Sequence, residues 1–157
     1  MAKEKEKRSY EKRLQRIMVP MNFSTAARKA FRYAQDLAKQ YRACIILLHV
    51  VVPSDAGDQP TRAVRAAKKG LDHLCTTDGV LSKRCKSLVR IGIPFSEITQ
   101  SADENGVELI ILSRRDSTIG GGFGEGHTFS RVVRYAKCPV LIVNESGRDF
   151  VAEPPGQ

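Results

Sequence analysis

The stretch from Glu108 to Val143, ELIILSRRDSTIGGGFGEGHTFSRVVRYAKCPVLIV, constrains the fold more than any other part of the chain. Its first five residues, Glu108 to Leu112, form a run too short and apolar for anything but a buried strand. Pro139 to Val143 is a second run of the same kind. Between them lie a loop with five glycines in the seven residues Gly120 to Gly126 and a helix-period segment, Thr128 to Lys137. Strand, glycine-rich loop, helix and strand make a βαβ unit whose loop opens onto a helix N-terminus. There the unpaired backbone N–H groups favour an anion.

The rest of the chain repeats the alternation. Arg16 to Pro20 reads as a first strand, and Ser24 or Thr25 as the N-cap of a helix from Ala26 to Tyr41. Cys44 to Val52 is a continuous β-branched run suited to a central strand, with His49 read as a packed core residue. Pro53 to Pro60 is a loop by composition. Ala63, Ala67, Leu71 and Leu74 mark a second helix in which Gly70 is a weak point. Thr76 to Gly79 breaks the chain, Ser87 to Ile91 is a strand, and a third helix from Phe95 stops at Asn105-Gly106. The pattern predicts an α/β, Rossmann-like three-layer sandwich with a parallel sheet and helices on both faces. The expected organisation is a charged arm (1–15), one folded domain (16–146) and a loose, proline-rich tail (147–157).

Composition limits the function classes. Four of the nine net positive charges fall in residues 1 to 16, where seven Lys or Arg face three Glu. The remainder are scattered without interleaved aromatics, so a solvated basic surface is expected rather than a nucleic-acid site. No apolar run reaches membrane-spanning length. Cys44, Cys75, Cys85 and Cys138 have no CxxC spacing, which predicts free thiols and a cytoplasmic protein.

In open parallel sheets ligands bind beyond the carboxyl ends of the strands, where the strand order reverses. That rule nominates Met21, Asn22 and Phe23 after the first strand and Ser113, Arg114 and Arg115 after the fourth. The loop through Gly124, Gly126 and His127 to Thr128 joins them.

Four pieces, in the right order, resemble the universal stress protein family over roughly Arg16 to Val143. They are RIMVPMNFS with its alanine-rich helix, IILLHVVVP, GIPFSEITQSADENGVELIILSRR and RVVRYAKCPVLIV. The resemblance implies a five-stranded sheet of order 3-2-1-4-5 and a homodimer paired through the last strand, Val140, Leu141, Ile142 and Val143. Many members bind ATP through Gly, two residues, Gly, nine residues, Gly and then Ser or Thr. Counted back from Pro139, the final glycine is Gly126 and the hydroxyl position is His127. The earlier glycines fall at Ser113 and Asp116, and the family's Asp after the first strand falls at Asn22. A carboxylate at Asp116 would repel phosphates unless Mg²⁺ or Arg114 and Arg115 compensated.

Two functions are therefore expected to compete. One is a regulatory, stress-response dimer with a degenerate nucleotide site, acting through protein partners. The other is an adenine-nucleotide module holding ATP (with Mg) or AMP between the first and fourth strands. Catalysis is not expected, since Asp116, Glu125 and His127 are the only nearby bases and lie in a glycine-rich segment.

Overall fold

The computed structural model describes residues 13–57, 59–114, 125–146 and 148–150. Strand β1 (Arg16–Pro20) leads into α1 (Thr25–Tyr41), and β2 (Cys44–Val51) into one helical turn, Pro53–Ala56, and then α2 (Pro60–Thr76). A 3-10 turn, Ser82–Arg84, precedes β3 (Cys85–Ile91). Next come α3 (Pro94–Glu104), β4 (Leu109–Arg114), α4 (Glu125–Tyr135) and β5 (Val140–Asn144). All pairings are parallel and the order is β3-β2-β1-β4-β5, as the resemblance implies.

Side chains alternate across each strand, so the sheet builds two cores. Ile17 and Val19 of β1, Ile45 and Leu47 of β2 and Ile111 of β4 pack with α1 and α2. Met18, Ile46, Leu48, Ile110 and Leu112 face the other way, onto Ile98 and Ala102 of α3 and Val132 of α4. Covering on both faces is why β2 reads as an unbroken apolar run. Five alanines (Ala26, Ala27, Ala30, Ala34 and Ala38) are buried on α1 together with the larger Lys29, Phe31 and Tyr33.

The helix ends follow local chemistry. Ser24 caps α1, its hydroxyl accepting from the Ala27 N–H at 3.1 Å. Arg42 closes the same helix in the left-handed region (φ 57°) and lets the Ala43 N–H reach the Ala38 carbonyl at 3.0 Å. Gly106, at φ 60°, turns the chain after α3 as expected.

Other expectations change. β4 runs on through Ser113 and Arg114, because β5 pairs with both: Ser113 lies opposite Val143 and Arg114 opposite Asn144. The polar side chains hid that extension. α4 begins at Glu125, not Thr128, so Gly126 and His127 belong to its first turn. Free thiols hold for Cys44 and Cys138 alone. Cys75 at the end of α2 and Cys85 at the start of β3 form a disulfide, with Cα atoms 5.3 Å apart. Spacing in the sequence could not show that the turn between them brings these ends together. Asp149 and Phe150, in the stretch read as a loose tail, contact Tyr33 of α1. Residues 1–12, 115–124 (with Arg115, Asp116 and Gly124) and 151–157 lie outside the described residues.

Candidate functional site

The parallel strands β1, β2 and β4 point their carboxyl ends to the same end of the sheet, with β1 flanked by β2 on one side and β4 on the other. The chain leaves β1 along β2: the Met21 N–H donates to the Leu48 carbonyl at 2.8 Å, and Met21 is buried. Its carbonyl meets His49 Nδ1 at 2.7 Å. His49 is thus half-buried and tied to the β1 exit turn, not sealed in the core.

Asn22, exposed at the turn, is already engaged. Its carboxamide oxygen accepts from the Ser24 backbone N–H at 3.1 Å and from the Ser24 hydroxyl at 2.5 Å. Phe23 follows in the left-handed region, φ 64°, which costs a non-glycine residue about 1–2 kcal/mol. Its ring is held from two sides, tilted 42° to His49 at 5.4 Å and pressed onto Gly70 of α2. Strain of this kind concentrates at functional turns, and here it sets the Phe23 ring between His49 and Gly70.

On the β4 side, Ser113 is half-buried and Arg114 exposed. The Arg114 guanidinium lies 5.9 Å from the Phe129 ring on the first turns of α4, and the Arg114 carbonyl accepts from the Glu145 N–H at 2.8 Å. Thr128 is half-buried in the same turns. The structure therefore gathers Met21, Asn22, Ser113, Arg114 and the helix carrying Gly126, His127 and Thr128 at one end of the sheet. Side-chain placement of Gly126 and His127, and everything about Arg115 and Gly124, falls outside the described residues.

Sequence reasoning missed two members of this neighbourhood. Gly70 looks like a helix defect but is the flat surface on which Phe23 rests: a Cβ there would stand 2.8 Å from Phe23 Cε1. His49 looks like core because its neighbours are apolar, though its position in β2 puts it at the strand's carboxyl half. Among the described residues no cluster of three or more His, Cys, Asp or Glu could hold a metal ion, and no helix is long and apolar enough to cross a membrane.

The sequence model of the Universal stress protein family matches residues 13–144. The chain belongs to the universal stress protein family. Among curated members, the universal stress protein Sll1654 of Synechocystis is 30% identical over 132 residues, covering 81% of this chain and 83% of that protein. Among solved structures, universal stress protein UspA from Lactobacillus plantarum superposes with TM-score 0.66 at 26% identity, covering 83% of this chain and 98% of the other. A universal stress protein solved in complex with cAMP gives TM-score 0.65 at 21% identity over 85% of this chain and 99% of its own. At that identity the likeness speaks for the fold. It also places the β1 and β4 ends of this universal stress protein within a shared architecture.

Proposed function

We propose that this universal stress protein is a stress-response regulator that works as a homodimer through protein partners, with a nucleotide site reduced from the family's. One observation carries the reading. The Asn22 oxygen, at the position of the family's ligand-holding Asp, serves the turn into α1 by accepting two hydrogen bonds from Ser24. A neutral carboxamide is also a weaker acceptor than a carboxylate for a base or ribose. Ser113 adds a side chain where the signature has glycine. The reading is non-catalytic, because Asp116, Glu125 and His127, the bases nearest the loop in sequence, lie in a glycine-rich stretch. The homodimer is assigned to β5, whose outer edge has no neighbouring strand among the described residues.

The test is direct. Freshly purified protein is denatured and any released nucleotide identified by mass spectrometry; thermal shifts are then run with MgATP, ADP, AMP and cAMP. The expected result is no released nucleotide and no shift at millimolar ligand. A melting temperature that climbs with ligand concentration, as linkage requires, sinks the reading.

A second reading is supported by the relative solved with cAMP, which shares the fold. In it ATP or AMP lies between β1 and β4, with Asn22 at base or ribose and Gly126, His127 and Thr128 at the phosphates. Arg114 and Arg115 offset charge, with Mg for ATP. The same experiment separates the two.

A further inference from the structure

Away from the strand ends, α3 and α4 meet along an open groove of about 600 Å³ lined by Phe95, Ser130, Arg131, Arg134 and Tyr135. The Arg131 guanidinium lies over the Phe95 ring, 4.8 Å from its centroid, and that of Arg134 is 5.7 Å from the Tyr135 centroid. The two rings are 6.2 Å apart and tilted 35°. Tyr135 is 54% exposed, so this aromatic surface is open to solvent.

The charges around the groove are unequal. Lys137 pairs with Asp103 at 2.9 Å. Among the described residues, neither Arg131 nor Arg134 has a carboxylate partner. Both guanidiniums are instead seated on rings, which limits their motion while leaving donors for an incoming acceptor. Tyr and Arg side by side are also the residue types that dominate interface energetics.

We propose that this groove docks an acidic peptide segment of a partner protein, which rests on the reading above that the protein acts through partners. Carboxylates of the segment pair with Arg131 and Arg134, and an apolar side chain lies against Phe95 and Tyr135. The pairing is charge-complementary and suits the planar donors of guanidinium. A nucleic-acid strand fits less well. It stacks its bases on open ring faces and follows a long run of free cations. Here Phe95 already carries a guanidinium, and Lys137, two residues beyond Tyr135, is neutralised by Asp103.

The experiment is an amide NMR titration of the whole chain with three probes: a peptide of alternating Glu and Leu, its Lys-for-Glu counterpart and an oligouridine. The Glu–Leu peptide should shift the amides of Phe95, Arg131, Arg134 and Tyr135, and the Lys–Leu peptide should not. Arg131→Glu with Arg134→Glu should weaken peptide binding at least about tenfold with only a small loss of melting temperature, since both side chains are exposed and give up one ring contact each. Arg131→Lys with Arg134→Lys should recover part of the loss. The proposal is overturned by absent shifts at these residues, by unchanged affinity in the charge-reversed variant, or by oligouridine shifting the same amides more strongly than the peptide. Thermal shifts with MgATP on the same samples report on the strand ends. A nucleotide response with peptide binding intact removes the degenerate-site reading and leaves this groove standing.

Discussion

The ring of Phe23 lies flat enough against Gly70 that a single added methyl on α2 would stand 2.8 Å from Phe23 Cε1 and 3.0 Å from Cζ. In the helix interior Gly→Ala gains about 1 kcal/mol from backbone propensity. At this position the gain is opposed by the need to move Phe23. Gly70→Ala is therefore expected to change stability by less than about 1 kcal/mol while lifting the Phe23 ring away from His49. NMR of the His49 ring protons checks this. Unchanged His49 resonances would mean that the Phe23 ring does not depend on Gly70.

The site can be pushed back toward the family pattern. Asn22→Asp keeps an acceptor for Ser24 and adds a carboxylate; Ser113→Gly removes a side chain at the end of β4. Together they are expected to raise the apparent affinity for MgATP by at least about tenfold, about 1.4 kcal/mol or more, read by calorimetry against wild type. No gain would place the loss in the Asp116 segment instead.

These two positions mark what the sequence made legible. Asn22 and Ser113 were found by counting along a pattern, and the strand order followed from alternation and resemblance. Gly70 and His49 were not, because their significance lies in contacts between β1, β2 and α2 that no local period encodes. The disulfide was hidden for the same reason: the 3-10 turn returns Cys85 to Cys75 through a local geometry without a strong sequence signal. The extent of β4 was missed because pairing with β5, rather than apolar character, holds Ser113 and Arg114 in the sheet.

The Cys75–Cys85 bond closes a loop with a sequence separation of 10 residues. Loop-closure entropy assigns such a bond about 3 kcal/mol, acting mainly through the unfolded chain. Urea unfolding should therefore give a lower midpoint in reducing agent, and Cys75→Ser with Cys85→Ser should reproduce that midpoint and no longer respond to reductant. An unchanged midpoint on reduction would show that the bond constrains nothing the unfolded state explores.

The proposed dimerisation through β5 needs a gentle test. Leu141 and Val143 pack into one core and Val140 against the other, so charging them would damage the fold itself. Ile142 is 36% exposed and belongs to neither core. Ile142→Lys is expected to shift the protein from dimer to monomer in sedimentation with little loss of melting temperature. A variant that stays dimeric would move the interface off β5.

The segment after β5 supplies the last prediction. Lys29 is buried on α1, and its ammonium donates to the Glu145 carbonyl and pairs with Asp149, each at 3.0 Å. Asp149 also accepts from the Tyr33 hydroxyl at 2.7 Å, while Phe150 packs edge-on against the Tyr33 ring at 4.6 Å. The Tyr33 hydroxyl and then Lys29, as donors, hold the Asp149 carboxyl below its ordinary range. A lowered carboxyl pKa means the folded state favours the ionised form. The stability it contributes is present above the unfolded value of about 3.9 and disappears as pH falls through the folded value. Burial, and then the bond to Asp149, raises the Tyr33 phenol, whose contribution is complete below about pH 10 and is lost as pH climbs through its folded value. Asp149→Asn should therefore lower the melting temperature at neutral pH, by leaving Lys29 buried beside a neutral group. It should also flatten the acid limb of the stability profile, because the titrating carboxylate is gone. Melting curves from pH 2 to 7 for both proteins make the comparison. Parallel acid limbs would show that Asp149 does not anchor the segment to α1 in solution.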